Sequence, residues 1–195
     1  MIAKRVGLFG DSQAEGLEPF LRSLLAERGM DLVWAEPRRG YTTSRYLPEL
    51  AGAPDDLDLA IVVLGGNDTA NASYETTLRG AAARFLELSP RVLWIGPSYS
   101  TNTDVEQRHA ATRRVQARVL PKLGVTFRDP LNWQYGAAAD RAPDGTHFRR
   151  DGYELQAEAV ALEAQSLLAR PAATLVALVL AVGAGLFAWW NLRRR

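Results

Sequence analysis

The sequence contains no cysteine, which excludes disulfides, thiolate zinc sites and a cysteine nucleophile together. It has two histidines, His109 and His147, which leaves little room for a histidine-rich metal centre. Neither sign of charge dominates. Over 195 residues, 23 Lys+Arg face 22 Asp+Glu, for a formal net charge of +1. The body has no long basic run, so a chain built to coat nucleic acid is excluded and no nucleic-acid partner is expected. Internal repeats, heptad runs and low-complexity stretches are also missing. What remains is a globular composition, 47% hydrophobic and 23% charged, of a length suited to one domain with an appendage.

That division falls near Pro171, giving a body over 1–170 and an appendage over 171–195. From Ala172 to Trp190 no residue is charged and only Thr174 is clearly polar. As a helix rising ~1.5 Å per residue this stretch spans about 28 Å, close to the roughly 30 Å hydrocarbon core of a bilayer. Trp189 and Trp190 stand where an aromatic belt would, ahead of Arg193, Arg194 and Arg195. A buried core helix would normally carry some polar face, and this segment has none. A single-pass transmembrane anchor through 172–190 is therefore expected. Ala173, Ala177, Ala181 and Gly185 recur every four residues, a spacing that lets two membrane helices approach closely as a homodimer. The three terminal arginines favour a cytoplasmic C-terminus. At the other end, the apolar run Val6–Phe9 is too short for a secretory signal and reads as a strand. Large domains obey the charge rule less strictly, so the expectation is a body facing the cytoplasm. Without the three arginines that body is mildly acidic.

Within the body, apolar runs suited to strands occur at 6–9, 32–35, 59–64, 92–95 and 125–127. Between the first two, Leu17, Phe20, Leu21, Leu24 and Leu25 form one face of an amphipathic helix that stops at Gly29. Further helices are predicted over 73–88, 104–119 and 152–169. The strands alternate little in polarity, as parallel strands covered on both faces do. This rhythm predicts an open, doubly wound α/β fold, with ligands bound at the carboxyl edge of the sheet. The irregular stretch 128–146 is long enough to be a functional loop.

The residues that follow the strands carry the chemistry. Gly10-Asp11-Ser12 follows the first, Arg39-Gly40-Tyr41 the second and Gly65-Gly66-Asn67-Asp68 the third, while Asp144-Gly145-Thr146-His147 lies beyond the fifth. Ester hydrolysis needs a nucleophile, a base, a group that orients the base and donors for the oxyanion. Ser12 supplies a hydroxyl at a strand-to-helix turn, His147 a base and Asp144 an orienting carboxylate. The Ser12 N–H, the Gly40 N–H and the Asn67 amide are candidate oxyanion donors. No cofactor and no metal is needed. Taken singly, each cluster is only a turn or a loop; their order along the chain is what points to a site.

These four blocks resemble the SGNH (GDSL-type) hydrolases over roughly residues 4–168. The nucleophile block is similar to Gly10-Asp11-Ser12, here continuing with Gln13 where the family name has leucine. The isolated glycine block resembles Gly40, the Gly-x-Asn-Asp block Gly65-Gly66-Asn67-Asp68, and the Asp-x-x-His block Asp144-Gly145-Thr146-His147. The resemblance implies a flavodoxin-like α/β/α sandwich, here with a five-stranded parallel sheet. It also implies a triad of Ser12, Asp144 and His147, with Ser12, Gly40 and Asn67 lining the oxyanion hole. The substrate class would be a small-molecule, lipid or sugar ester. There is no Gly-x-Ser-x-Gly, so this is not a nucleophile elbow of the α/β-hydrolase kind.

Other features have plainer readings. His109 and the stripe Arg113, Arg114 and Arg118 read as a solvated face of a charged helix. Trp34, Tyr41, Tyr99, Trp133 and Tyr135 are placed either to line a substrate pocket or to pack at the rim. Two alternatives to a membrane-anchored esterase remain at this level. One is a catalytically inactive SGNH-like binding module that cradles a ligand at a helix N-terminus. The other is an interaction protein whose anchor is its main role.

Overall fold

The apolar runs become the strands β1 (Lys4–Gly10), β2 (Met30–Pro37), β3 (Leu59–Val63), β4 (Val92–Ile95) and β5 (Thr126–Arg128). All pair in parallel, in the order β2-β1-β3-β4-β5. The structure is a computed structural model that describes residues 2–133 and 140–170. The expected span 172–190, its small-residue face at Ala173, Ala177, Ala181 and Gly185, and Tyr135 lie outside the described residues. Among the described residues, no helix is long and apolar enough to cross a membrane. The first two strands outrun their apolar cores because backbone pairing continues past them: Lys4 pairs with Met30 and Arg5 with Asp31.

Among the described residues, five α-helices connect and cover the sheet: α1 (Ser12–Ala26), α2 (Thr43–Tyr46), α3 (Tyr74–Leu88), α4 (Thr103–Val119) and α5 (Arg150–Ala169). Helix α1 starts five residues before its apolar stripe because Asp11 caps it, its Oδ1 accepting the Gln13 N–H at 2.9 Å. Asn102 caps α4 likewise, accepting from Asp104 at 3.1 Å and Val105 at 3.2 Å.

Pleating sends alternate residues of each strand to opposite layers. Leu59, Ile61 and Val63 face α1 and α5, meeting Leu17, Leu21 and Leu25 from one helix and Ala157, Val160, Ala161 and Ala164 from the other. Ala60, Val62 and Leu64 face the opposite layer, with Phe85, Leu78 and Ala82 of α3 and Tyr46 of α2. There Phe85 meets Phe9 and Trp94 edge-on, at ring separations of 5.3 and 5.7 Å. The result is a three-layer α/β/α arrangement. From β1 the chain moves outward to β2 and then returns to the other side as β3, so the order reverses between β1 and β3. Ligands gather at such a switch point, and the carboxyl ends of those two strands carry Ser12 and Asn67.

Helix α4 departs from expectation. His109 is 2% exposed and Arg113 4%, so neither belongs to a solvated face; Arg114 and Arg118 do lie outside. With Thr112 and Gln116 they form a buried polar stripe. It lies over strand exits whose carbonyls need donors, and an apolar stripe there would leave those oxygens unmatched.

The most direct test of the layer that joins the two ends of the described body is Leu21, fully buried in the cluster between β1, α1 and α5. Leu21→Ala is expected to lower the unfolding free energy by about 2–5 kcal/mol, read as a fall in denaturant midpoint at unchanged slope.

Candidate active site

Ser12 owes its position to the turn from β1 into α1. At Gly10 an added Cβ would lie 2.3 Å from the Val63 carbonyl oxygen and 2.8 Å from the Ala14 Cβ. Only glycine lets the chain turn this close to β3, where the Asp11 N–H donates to Val63 O at 3.1 Å. Ser12 is then the first residue of α1, whose first-turn N–H groups have no intrahelical acceptor.

His147 and Asp144 come from a tight turn 135 residues further along. Arg141 and Phe148 form an antiparallel bridge, and between them Gly145 N–H donates to Ala142 O and Ala142 N–H to His147 O, both at 2.9 Å. Asp144 Oδ1 accepts the Thr146 and His147 N–H groups at 2.9 and 3.0 Å. Its Oδ2 accepts the His147 Nδ1–H at 2.5 Å. With Nδ1 carrying the proton, Nε2 is the acceptor that faces Ser12 Oγ at 2.8 Å. The three residues therefore form one hydrogen-bonded line in which a proton can move from serine to imidazole.

The electrostatics of the line follow from its neighbours. Burial alone would raise Asp144, but the hydrogen bonds from the His147 ring and from the Thr146 and His147 N–H groups outweigh it and hold the carboxyl at about 2. Asp144 is thus an anion wherever the protein is folded at ordinary pH. The turn itself is held by side chains with no part in the line. Gln13 Nε2 donates to Thr146 O at 3.2 Å, Arg141 Nη1 to the same oxygen at 3.1 Å and to Ser98 Oγ at 3.3 Å, and Ser100 Oγ to Gly145 O at 3.0 Å. Arg141 also stacks over the Phe148 ring at 3.7 Å. Its burial pulls the guanidinium down to about 10, which leaves it charged at neutral pH.

A cavity of about 440 Å³ opens over Ser12, lined by Glu15, Gly16, Arg39, Asp144, His147 and Tyr153. At its mouth the Arg39 guanidinium grips Glu15 with two bonds, of 3.0 and 2.9 Å. Tyr153 donates to Gln13 Oε1 at 3.3 Å, and its ring fills the space that a side chain at Gly16 would need.

Of the predicted oxyanion donors, Ser12 lies in the line itself. Gly40 sits in the turn after β2, closed by the Tyr41 N–H on Arg38 O at 3.1 Å, between the cavity-lining Arg39 and Tyr41. Asn67 reaches the same turn: its amide donates to Tyr41 O at 3.2 Å and to Asp11 Oδ2 at 3.1 Å. Both amide hydrogens are thus engaged, and contact with a developing oxyanion requires one of these bonds to be shared or released. Among the aromatics, Trp34 and Tyr41 pack against the α3 layer and Trp133 against the α1–α5 layer. The aromatic at the cavity is Tyr153, just beyond the Asp-x-x-His block, where the spacing of that block was a usable pointer.

Asp11, the cap of α1, belongs to the site as well. It is 2% exposed and adjoins Ser12. Burial pushes its carboxyl up to about 7, with the charge of Asp68 adding and the Gln13 N–H, His147 and Asn67 opposing.

Comparison with known proteins gives a consistent family. Residues 8–155 match the GDSL-like lipase/acylhydrolase family. No curated protein matches the sequence. Solved structures of similar fold include a mutant acetyl-xylooligosaccharide esterase from Geobacillus, with a TM-score of 0.63 at 17% identity over 87% of this chain and 97% of that one. A family 3 carbohydrate esterase from Clostridium thermocellum gives 0.62 at 19% identity, covering 86% and 100%. A GDSL-like lipase from Bacteroides thetaiotaomicron gives 0.58 at 20%, covering 84% and 88%. At these identities the likeness is one of fold.

The raised Asp11 makes a signed prediction. The folded chain holds this proton to about pH 7, whereas the ordinary carboxyl releases it near 3.8. Folding therefore takes up a proton between these values, and stability from this group falls as pH rises through the window. In Asp11→Asn that slope is expected to vanish. The stability of wild type relative to the variant should drop by on the order of a few kcal/mol from pH 4 to pH 7 and then level off, as measured by denaturant melts across pH.

Proposed function

The chain belongs to the GDSL-like lipase/acylhydrolase family, and from that premise we propose that it is a serine esterase working through a covalent acyl-enzyme. The observation that carries this reading is the continuous line from Ser12 Oγ through the His147 ring to Asp144. In the proposed mechanism His147 Nε2 takes the Ser12 proton as Oγ attacks the ester carbonyl carbon. Asp144 holds the tautomer and stabilises the imidazolium that forms. The oxyanion of the tetrahedral intermediate is met by the Ser12 and Gly40 N–H groups and by the Asn67 amide. His147 then returns the proton to the leaving alkoxide, and the alcohol departs. A water, deprotonated by the same ring, attacks the acyl-serine and releases the acid and free Ser12.

The preferred substrate is a short acyl ester, acetyl above all, on a polar alcohol such as a sugar. Supporting this is a cavity of about 440 Å³ whose mouth is set with the Glu15–Arg39 ion pair, a charged rim that suits a hydroxylated alcohol better than a long acyl chain. The carbohydrate esterases of similar fold point the same way. As a further part of the proposal, 172–190 anchors the enzyme in a membrane as a single pass with the body facing the cytoplasm. The uncharged composition of that stretch supports this.

Three measurements test the reading. A fluorophosphonate probe should label the wild type and leave Ser12→Ala unlabelled; labelling that survives the substitution removes Ser12 from the mechanism. With p-nitrophenyl esters, acetate is expected to turn over at least about tenfold faster than palmitate, and His147→Ala to lower kcat by about 10⁴-fold or more. A chain ending at Ala169 should stay in the supernatant with its activity retained, while the full chain sediments with membranes and its body is cleaved by protease only in inverted vesicles.

A further inference from the structure

The buried polar stripe of α4 ends at His109, whose ring spans two strand exits. Its Nδ1 lies 2.7 Å from Ser98 O, beyond β4, and its Nε2 lies 3.0 Å from Gly66 O, beyond β3. Both neighbours are acceptors, and a neutral imidazole has one proton to offer them. The contact to Ser98 O is the shorter, yet that oxygen is the less dependent on the ring. Arg113 Nη1 also approaches Ser98 O, at 3.4 Å, while donating to Pro97 O at 3.0 Å. Among the described residues, the donor that reaches Gly66 O is His109.

Gly66 O belongs to the peptide that leads into Asn67. We propose that His109, through an Nε2–H donated to Gly66 O, is a positioning residue that fixes this peptide and so aims the Asn67 amide at the oxyanion. The packing around the turn supports the assignment. A Cβ at Gly66 would lie 3.2 Å from Asp11 Oδ2 and 3.7 Å from His109 Nε2, so the residue sits between the capping carboxyl and the ring. A Cβ at Gly65 would lie 2.5 Å from Gln116 Nε2, two helical turns along the same stripe. Gln116 Nε2 in turn donates to Leu64 O at 2.9 Å. Helix α4 thus grips consecutive parts of the Leu64–Asn67 segment, and Asp11 and Tyr41 O hold the Asn67 side chain from the opposite side. Main chain and side chain of one residue are fixed by separate donors and acceptors.

Several charges surround the ring. Arg113 and Glu106 share its helix and pair with each other; Arg113 also lies 3.7 Å from Asp129; Asp11 adjoins Gly66; and Arg141 reaches Ser98 Oγ. Burial pulls His109 below the ordinary imidazole range, against the two carbonyls and Glu106. Near neutral pH the ring therefore holds a single proton, and its place decides which strand exit is clamped.

The proposal rests on the esterase reading, in which Asn67 serves the oxyanion, and two substitutions separate them. Glutamine carries its amide about as far out as Nε2, and asparagine only about as far as Nδ1. His109→Gln is expected to keep kcat within about threefold of wild type. His109→Asn should lower it about tenfold with KM little changed, a partial version of the ~10²–10³ lost with a whole oxyanion donor. Equal kcat in the two variants, or a loss confined to KM or to melting temperature, overturns the assignment. A second arm uses the unmutated chain, so it stands even where a variant fails to fold. Imidazole ¹⁵N shifts at neutral pH should place the His109 proton on Nε2; a proton found on Nδ1 alone sinks the clamp. A wild type that turns over no ester defeats the esterase reading, and the ¹⁵N result then still decides the clamp by itself.

Discussion

The layer shared by α1 and α5 is the constraint on which the rest depends. Both helices bury apolar faces on the same side of the sheet, and burying a leucine-sized side chain contributes roughly 1.5–3 kcal/mol. Their association brings residues from the start of the chain to those near the end of the body. Gly16 admits the Tyr153 ring, and Gln13 bonds both Tyr153 and the Thr146 carbonyl. The 2.8 Å approach of His147 to Ser12 follows from that packing, because no local bond of α1 or of the 141–148 turn could span the gap.

Around this meeting point the sheet edge poses a second problem, which α4 solves. Strands that end beneath a site leave carbonyl oxygens that neither a sheet ladder nor a helix satisfies. Here His109, Arg113 and Gln116 donate to the oxygens of Ser98 or Gly66, Pro97 and Leu64. The helix therefore packs by polar contacts along the edge, while Val115, Val119 and the following turn supply its apolar contact with the core. Such an arrangement has directional geometry that an apolar interface lacks.

The same edge holds two carboxyls with opposite fates. Asp144 is half-exposed and surrounded by donors, and it stays ionised down to about pH 2. Asp11 lies beside Ser12 with Asp68 nearby, and its proton persists to about pH 7. Exposure and donor count account for both. The consequence is a site with one permanent anion aligned with the imidazole and one buried carboxyl whose charge depends on pH.

The five strands, the main helices and the order of Ser12, Gly40, Asn67, Asp144 and His147 along the carboxyl edge were legible in the sequence. Apolar runs, helical periodicity and short glycine-bearing turns are local signals, and parallel connectivity sends each turn to one edge of the sheet. The polar stripe was not legible as a buried face. His109, Thr112, Arg113 and Gln116 share a helical face by spacing, yet side chains of this kind usually meet water, and only tertiary structure brought unmatched carbonyls against them. The same holds for Asp11, whose cap role is local but whose raised proton affinity comes from burial and from the charge of Asp68, against the hydrogen bond from Asn67. Residue order by itself settled which groups face the edge; burial, which depends on every layer at once, decided their charge and what each one holds.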